Sequence, residues 1–471
     1  MASFYTLTLG CKLNQLESES ITEAFKNSGF DQFEIKNEDN CVNSPSVIII
    51  NTCTVTSKAD QKARRVIRKA MHDYPDACVI VTGCYAKLNE EDILRLETGS
   101  RRRLVIIDKE KIIKLPQYIY EKIKNGNDLN DLFVPAFLNK HDKNDLFAFN
   151  PQQFSKHTRS FLKIQDGCDK QCTYCKIRLA RGKSVSLEKN EVLSRLRLLE
   201  QTHAETVLTG VNICQYREQG KNDREESKES GLVKLLDYLL SGTKKIMIRL
   251  SSLAPESIDE DLCRILSHPR IQPHFHLSVQ SCSNIILQKM GRLYNAETVE
   301  RAVSLLRGIK DDPFLACDII TGFPCETKIE FEKTCDFCRK LDFAWIHVFP
   351  FSKRKGTPAF SFTDNVRENE VTRRVKILTD LAKRGKSGYI NRWLGREVNV
   401  LLEKNKKLNT SLFFKEKNEN ETAFFFKGIS DNYLKLLVCG DMEIQKHGEI
   451  LRCRLIKEAD SKDNDAIASV I

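Results

Sequence analysis

The chain has 471 residues, which at about 150 residues per domain predicts about three domains with room for a large buried core. Hydrophobic residues make up 41% and charged residues 30% of the chain, and this balance excludes a disordered or collagen-like protein. No run approaches the roughly 18 apolar residues that span a bilayer, and the first residues carry no basic, cleavable leader, so we expect a cytoplasmic protein without a membrane partner. Lysine and arginine (75) exceed aspartate and glutamate (64), and residues 351–410 hold 15 basic against 6 acidic residues, which favours a polyanionic partner.

The first third of the chain alternates short strands with helical segments. FYTLTLG, SVIIINT and ACVIVTG are apolar, β-branched runs, and each precedes a stretch whose apolar residues recur at helical spacing. Strands that alternate with helices are typical of a parallel sheet. We therefore expect an α/β protein whose first domain, residues 1–150, is an open parallel α/β sheet.

Two further units follow. A second β-α series, from SFLKIQDG to FAWIHVFP, predicts a partial or full β/α barrel over residues 151–390. The short runs EVNVLLE, AFFFKGIS, NYLKLLVC and EILRCRLI predict a small all-β barrel over residues 391–458. The polar chain end, residues 459–471, is expected to be disordered.

A dense cysteine motif follows the first strand of the barrel series. Seventeen cysteines in a long chain without a leader favour metal binding, catalysis or burial over disulfides. In GCDKQCTYCK, Cys168, Cys172 and Cys175 form Cys-x3-Cys-x2-Cys. Three thiolates on one loop can bind three irons of a cubane cluster and leave the fourth iron open to a ligand. Zinc is the alternative metal, although no fourth ligand follows at suitable spacing, and three packed thiols are the plain alternative.

Three further cysteines share one context. Cys11, Cys53 and Cys84 each follow a predicted strand, in LGCKLN, NTCTVT and GCYAKL. The carboxyl ends of parallel strands meet at one crevice, so the three thiols could converge on a ligand. They could equally pack separately, because free cysteine is among the most buried residue types. Cys335 and Cys338 lie in a predicted helix without a second pair, and we assign them to the core.

These motifs resemble known families. The Cys168 motif, with Tyr174 before its last cysteine, is similar to the signature of the radical S-adenosylmethionine (SAM) superfamily. TLGCKLNQLESE, NTCTVT and GCYA, together with LARGKS, VLTGVN, RLSSLAPE, HLSVQS, DIITGFP and HVFPFSKRKGTPA, closely resemble the methylthiotransferase family over nearly the whole chain. The C-terminal module is similar to the small RNA-binding TRAM β-barrel.

The resemblance implies an enzyme that uses SAM and two 4Fe-4S clusters. The catalytic cluster would be held by Cys168, Cys172 and Cys175, and an auxiliary cluster that carries or delivers sulfur by Cys11, Cys53 and Cys84. The resemblance also implies a SAM pocket made of strand-end residues, each of which could instead be an ordinary turn or barrel residue. These residues are Tyr174, Thr209, Gly210, Asn212, Ser251, Ser252, Gln280 and Gly322.

Three positions depart from the family pattern. Cys282 and Cys325 stand where relatives usually have glycine, and both add a side chain at a position that could face the cofactor. Lys87 stands where the family often has glutamine. None of the three removes a proposed ligand.

The motifs look most like the branch that replaces the C2 hydrogen of N6-threonylcarbamoyladenosine, at position 37 of tRNA, with a methylthio group, using two SAM molecules. The runner-up branch acts on N6-isopentenyladenosine, and a third acts on an aspartate of a ribosomal protein. Outside the family, the rivals are a radical SAM enzyme without sulfur insertion and a non-enzymatic, metal-containing RNA-binding protein. We expect the tRNA anticodon loop and an electron donor such as flavodoxin or ferredoxin as partners, and no DNA.

A basic stretch supplies the candidate contacts to RNA phosphates, although a charge run can also be a solvated helix face. These candidates are Lys353, Arg354, Lys355, Arg373 and Arg374. Aromatic residues of the last unit could stack on bases, while most are expected to fill its core. They are Phe413, Phe414, Phe424, Phe425, Phe426 and Tyr433.

Overall fold

The computed structural model describes residues 2–33, 44–97, 103–124, 145–154, 157–218, 230–403, 424–440, 448–461 and 463–471. In this part the chain is an α/β protein with a parallel sheet, a partial β/α barrel and a small closed β-barrel, as predicted. Within these ranges, no helix is both long and apolar enough to cross a membrane.

The amino-terminal sheet is parallel throughout, with strand order β2-β1-β3-β4-β5. Its strands are β1 (Ser3–Thr8), β2 (Asp31–Gln32), β3 (Val47–Thr52), β4 (Cys78–Gly83) and β5 (Leu104–Ile106). Its helices are α1 (Lys12–Asn27), α2 (Ser57–Asp73), α3 (Cys84–Leu88), α4 (Glu90–Leu94), α5 (Lys109–Ile112) and α6 (Leu115–Lys124). Every residue of β3 is buried, because helices cover the sheet on both faces and the VIII run is apolar without alternation.

The central unit is a partial barrel of six parallel strands in two sheets, with orders β10-β9-β6 and β11-β12-β13. Two isolated bridges, Ile248–Ile271 and Leu253–Leu277, join β10 and the residues after it to the second sheet. The six strands are β6 (Ser160–Lys163), β9 (Glu205–Thr209), β10 (Met247–Leu250), β11 (His274–Gln280), β12 (Phe314–Thr321) and β13 (Trp345–Pro350). A short antiparallel pair, β7 (Gln165–Asp166) and β8 (Val185–Ser186), flanks the first sheet.

Helices surround this barrel on its outer side. They are α7 (Ile177–Arg181), α8 (Lys189–Glu200), α9 (Gly231–Gly242), α10 (Glu260–Leu266), α11 (Asn284–Lys289), α12 (Ala296–Gly308) and α13 (Lys328–Lys340), with short 3-10 turns at Ile213–Gln215, Pro255–Ser257 and Pro358–Ser361. Cys335 and Cys338 are buried in α13, which confirms their assignment to the core. One hydrophobic core runs from Phe4 and Phe25 of the sheet to Phe161 of the barrel, so the two units pack as one body.

A long helix, α14 (Glu368–Trp393), leads to the closed β-barrel. The strands of that barrel, in the order β14-β15-β16-β18-β17, are β14 (Glu397–Leu402), β15 (Phe424–Ser430), β16 (Lys435–Gly440), β17 (Ile450–Glu458) and β18 (Ala466–Val470). The predicted disorder of residues 459–471 is therefore wrong for β18. Its residues Ala466, Ile467 and Ala468 are buried, and the strand closes the barrel between β16 and β17.

Candidate active site

One cavity of about 420 Å³ lies between the carboxyl ends of the amino-terminal sheet and those of the partial barrel. The cavity is lined by all six cysteines of the two predicted trios, namely Cys11, Cys53, Cys84, Cys168, Cys172 and Cys175. Three of these side chains come from each unit. The sequence left open whether Cys11, Cys53 and Cys84 meet at one crevice, and in the structure all three line the same cavity.

The amino-terminal trio, Cys11, Cys53 and Cys84, is brought together by three chain segments that are distant in sequence. Cys53 directly follows β3, Cys84 begins α3 directly after β4, and Cys11 is the N-cap residue of α1. Gly10 and Gly83 have φ angles of 126° and 97°, which favour glycine. A Cβ atom on Gly10 would lie 2.8 Å from the Cys53 Cβ, so glycine is needed for the close approach of these two segments.

Two buried asparagines hold this trio in register. The Asn14 amide donates hydrogen bonds to Asn51 Oδ1 and to the Thr52 carbonyl, each at 3.0 Å. The Asn51 amide donates in return to the Asn14 carbonyl at 3.0 Å. The Cys11 thiol donates to Asn14 Oδ1 at 3.3 Å. The start of α1, which carries Cys11, is thereby fixed to the end of β3, which precedes Cys53.

The central trio, Cys168, Cys172 and Cys175, lies on a single loop between β7 and α7. Backbone hydrogen bonds pin the loop: the Cys168 amide donates to Gly182, and the Thr173 amide donates to Met290. On the open side, Arg292 donates through Nη1 to Cys172 Sγ at 3.2 Å and through Nη2 to the Ser278 carbonyl at 2.8 Å. A half-buried guanidinium thus lies against one thiol of the trio.

Burial changes the acidity of the thiols in both trios. It raises the pKa of Cys53 to about 11 and the pKa of Cys175 to about 11. Burial also raises the pKa values of Cys11 and Cys168. Metal ligands must be thiolates, so occupation of these sites releases protons.

Five of the eight predicted SAM contacts line the cavity, and three do not. The five are Tyr174, Gly210, Asn212, Ser252 and Gln280. Gln280 follows a bulge in β11 and has a φ of 68°, a strained conformation for a residue with a side chain. Whether these five bind SAM stays a prediction.

The other three residues lie outside the lining of the cavity. Thr209 is buried within β9, and Ser251 is bonded through its backbone to Leu208. Gly322 has a φ of 77°, and a Cβ there would lie 2.5 Å from the Val371 side chain. Its need for glycine comes from packing against α14. For these three residues, contact with SAM stays a prediction that the cavity lining does not support.

The two cysteines that stand at positions of usual family glycines, Cys282 and Cys325, also lie outside the lining of the cavity. Cys282 is buried beside Cys338 and Cys317, and that contact raises its pKa well above the ordinary value. Cys325 has a φ of 67°, where glycine would be favoured, and its thiol donates to Asp364 at 3.3 Å. Neither side chain lines the cavity.

Two of the five predicted phosphate contacts are buried, so their assignment to RNA binding is wrong. Arg354 is 4% exposed and donates to Thr54 and Asp60 of the amino-terminal unit. Arg374 is 3% exposed and pairs with Glu326 and Glu370. Both guanidinium charges are paired with carboxylates inside the protein.

The other three cations are exposed. The Lys353 ammonium lies over the Phe360 ring. Lys355 follows two residues further along the chain. Arg373 pairs with Glu370 of its own helix at 2.7 Å. For these three cations, contact with RNA phosphates stays a prediction.

The aromatic residues near the closed barrel have different surroundings. Phe425 is buried in it, as predicted. Tyr433 stacks on His274 of the partial barrel, with ring centroids 3.9 Å apart, and so joins the two barrels. Phe413, Phe414 and the Phe424 side chain lie outside the described residues.

Several polar residues that position the cavity were missed by the sequence analysis. Gln165 is fully buried, and its Oε1 accepts from the Asn212 amide at 2.9 Å. Asp318 lines the cavity and contacts His276 at 3.0 Å, and His276 contacts Ser252 at 3.2 Å. Gln165 lies in SFLKIQDG, His276 in HLSVQS and Asp318 in DIITGFP, so the signal available was their position beside cysteine or strand-end motifs.

Two negative findings bear on metal binding. In the described ranges, no group of three or more His, Cys, Asp or Glu side chains is gathered tightly enough to hold a single metal ion. The 16 cysteines in those ranges are all free of disulfide bonds. A tetrahedral zinc site would hold its thiolates about 3.8 Å apart, whereas thiolates that ligate a cubane surround a wider cage.

Matches to protein-family models identify the class of enzyme. A family model described as the Radical SAM superfamily matches residues 162–338, and one described as Uncharacterized protein family UPF0004 matches residues 3–102. The partial barrel with its three-cysteine loop is thus that of a radical SAM enzyme.

Named proteins of similar sequence identify the family within this class. A Treponema pallidum protein named Threonylcarbamoyladenosine tRNA methylthiotransferase MtaB is 38% identical over 447 residues, covering 84% of this chain and 90% of that protein. The Bacillus subtilis protein of the same name is 32% identical, covering 97% and 94%. The chain therefore belongs to the MtaB branch of the radical SAM methylthiotransferases, a family of transferase enzymes.

A more distant sequence relative and a solved structure also match this chain. A Roseobacter denitrificans protein named tRNA-2-methylthio-N(6)-dimethylallyladenosine synthase is 29% identical, covering 84% of this chain and 87% of that protein. Among solved structures, the radical SAM methyltransferase TsrM from Kitasatospora setae, with cobalamin and a [4Fe-4S] cluster bound, matches at a TM-score of 0.48 and 15% identity, covering 76% and 77%. The family assignment is drawn from the sequence relatives.

Proposed function

We propose that this enzyme adds a methylthio group to C2 of N6-threonylcarbamoyladenosine at position 37 of tRNA, using two 4Fe-4S clusters and two SAM molecules. The observation that carries the proposal is the single cavity lined by both cysteine trios. A sulfur-bearing site and a radical-generating site must both reach one base, and a shared cavity permits this.

The residues present fit two clusters. Among the described residues that line the cavity, each trio offers three thiol ligands, which leaves one iron of a cubane open. When bound, a reduced cluster with SAM supplies the 5′-deoxyadenosyl radical that can activate a C–H bond. The chain itself would hold SAM through Gly210, Asn212 and Ser252, whose backbone and neutral polar groups suit a ribose and an amino acid moiety.

The relatives support the choice of substrate. Proteins named for threonylcarbamoyladenosine reach 38% identity, and those named for dimethylallyladenosine reach 29%. The exposed cations Lys353, Lys355 and Arg373 and the closed barrel would contact the tRNA. Flavodoxin or ferredoxin would supply electrons in the cytoplasm.

Two triple variants test the proposal. The full chain is reconstituted anaerobically with iron and sulfide, and iron, SAM cleavage and methylthiolated nucleoside are measured. The wild type should hold about eight irons, and each variant, Cys11/Cys53/Cys84→Ala or Cys168/Cys172/Cys175→Ala, about four. The first should still cleave SAM and the second should not, while neither should form product.

Different outcomes would contradict different parts of this function. An unchanged iron content and full product formation in the Cys11/Cys53/Cys84→Ala variant would exclude the auxiliary cluster. Product on isopentenyladenosine tRNA but not on threonylcarbamoyladenosine tRNA, read by nucleoside mass spectrometry, would assign the chain to the other substrate.

A further inference from the structure

A buried network of charged residues lies directly behind the amino-terminal trio. Its members, each no more than 6% exposed in its side chain, are Glu17, Lys109, Lys163, Asp166 and Arg181. Glu17 and Lys109 belong to the amino-terminal unit, and the other three belong to the partial barrel. The network therefore crosses the boundary between the two units.

Arg181, the last residue of α7, connects this network to the cavity. Its Nε donates to Cys84 Sγ at 3.2 Å. Its Nη1 donates to Glu17 Oε1 at 3.0 Å and to Asp166 Oδ2 at 3.1 Å. One guanidinium of the barrel thus binds a thiol and a carboxylate of the other unit at once.

The charges of the network do not cancel among themselves. Glu17 lies 3.0 Å from the Arg181 guanidinium, and Asp166 lies 3.1 Å from that guanidinium and 2.8 Å from the Lys109 ammonium, so both acids are paired as carboxylates. Burial lowers the pKa of Lys163, but its Nζ lies 2.5 Å from Asp166 and faces the rings of Phe147 and Phe149, contacts that favour the ammonium form. Three cations therefore face two carboxylates.

One buried positive charge is thus left over, and its remaining neighbour is the Cys84 sulfur. An uncompensated buried charge is costly, and an anionic partner within hydrogen-bond distance removes that cost. Neutral thiols cannot supply the missing charge, whereas a thiolate-ligated group can.

We propose that Arg181 is a positioning residue that supplies the counter-charge of the auxiliary cluster, so that loading of the amino-terminal trio stabilises the contact between the sheet and the partial barrel. The inference rests on the proposed second cluster. It assigns a role to the arginine of the LARGKS segment that the cysteine ligands alone do not explain.

The experiment uses the full chain carrying Cys168/Cys172/Cys175→Ala, in which any cluster must lie at the amino-terminal trio. Iron per chain, the rise in melting temperature on loading, and the midpoint potential from an EPR titration are measured for this parent and for Arg181→Gln in it. Arg181→Gln should lose more than half of the melting-temperature rise and shift the potential to more negative values, because a nearby positive charge favours the reduced cluster.

Two further variants serve as controls. Arg181→Lys keeps the charge and should keep most of the temperature rise and the potential, so it remains informative if Arg181→Gln does not fold. Arg301→Gln removes an exposed arginine that pairs with Glu260 outside the cavity, and it should change neither quantity.

The outcomes separate the two proposals. A parent that takes up no iron overturns the second cluster and this inference together. A parent that loads normally, with Arg181→Gln showing the same temperature rise and potential, overturns only the role of Arg181. Arg181→Lys losing as much as Arg181→Gln would also overturn it, since charge would then not be the cause.

Discussion

The two cysteine trios reach the same cavity by different means. The central trio occupies eight consecutive residues, 168–175, on a loop pinned by its own backbone hydrogen bonds. The amino-terminal trio, Cys11, Cys53 and Cys84, comes from three strand ends and depends on the sheet, two glycines and a pair of asparagines. A local motif needs little from the rest of the fold, whereas a trio assembled from distant segments loses its geometry when any support fails. Stability and iron binding should therefore be coupled at the amino-terminal trio and nearly independent at the central one.

The largest effect is expected at Gly83, directly before Cys84. A Cβ there would lie 2.4 Å from the Thr52 carbonyl oxygen, and the φ of 97° adds strain. Gly83→Ala should cost about 4 kcal/mol in urea unfolding and remove the iron of the amino-terminal trio, while SAM cleavage persists.

Gly182 is the matched control for Gly83. It has a φ of 76°, but no atom lies within 4 Å of its Cβ position. Gly182→Ala should cost about 1 kcal/mol. Equal costs for the two variants would show that the Cys84 turn has no special dependence on close packing.

Arg354 tests whether contact between the units supports the amino-terminal trio. It belongs to the barrel, and its Nη2 donates at 2.9 Å to the carbonyl of Thr54, the residue after Cys53. Arg354→Ala leaves Asp60 without its buried partner and should cost about 3 kcal/mol of unfolding free energy.

The exposed neighbour Lys353 is the comparison for Arg354. Lys353→Ala should change stability by less than about 0.5 kcal/mol and lower the salt dependence of tRNA binding by about one unit of slope. A lower salt slope in the Arg354→Ala variant at unchanged stability would reverse the assignment of the two residues.

Asn14 should have a smaller effect on the same trio. Its replacement by leucine of similar size removes the amide that donates to the buried Asn51 Oδ1 at 3.0 Å, at a cost of about 2 kcal/mol. Asn190, whose Oδ1 accepts from Tyr238 at the surface, is the control, and Asn190→Leu should be nearly neutral. The prediction is contradicted if Asn14→Leu binds the full complement of iron at wild-type stability.

The difference between local motifs and contacts of distant segments also explains which features could be predicted from the sequence. All six cysteines could be chosen as candidates because their signal is local, either a fixed spacing or a position directly after an apolar strand, and the family resemblance implied their role as ligands. Arg354 and Arg374 were misassigned because their partners, Asp60 and Glu326, are distant in sequence, and a cation in a basic run looks the same whether it is buried or exposed. Strand β18 was missed because the polar segment before it dominates the composition of the chain end.

The SAM candidates show a second limit of the same kind. Ser251 and Ser252 are adjacent, yet only Ser252 lines the cavity, because successive residues point to opposite sides of an extended chain. Which of the two faces inward depends on the register of the barrel, and no residue type in the segment encodes it. Gly322 looked like a ligand contact because glycine permits close approach to a ligand and to a neighbouring helix alike.

The smallest expected difference between the two trios is in the pH dependence of thiol alkylation, which should be alike in both. Burial raises the pKa of Cys53 and that of Cys175 to about 11, so both thiols stay protonated at neutral pH in the unloaded protein. Their alkylation by iodoacetamide should accelerate about ten-fold per pH unit from pH 7 to 10, since only the thiolate reacts, whereas a model peptide thiol with a pKa of about 8.5 levels off. Peptide mass spectrometry measures each rate separately. A plateau near pH 9 at Cys53 but not at Cys175 would mean that Cys53 is more open to water than Cys175, and would contradict the similar effect of burial on the two thiols.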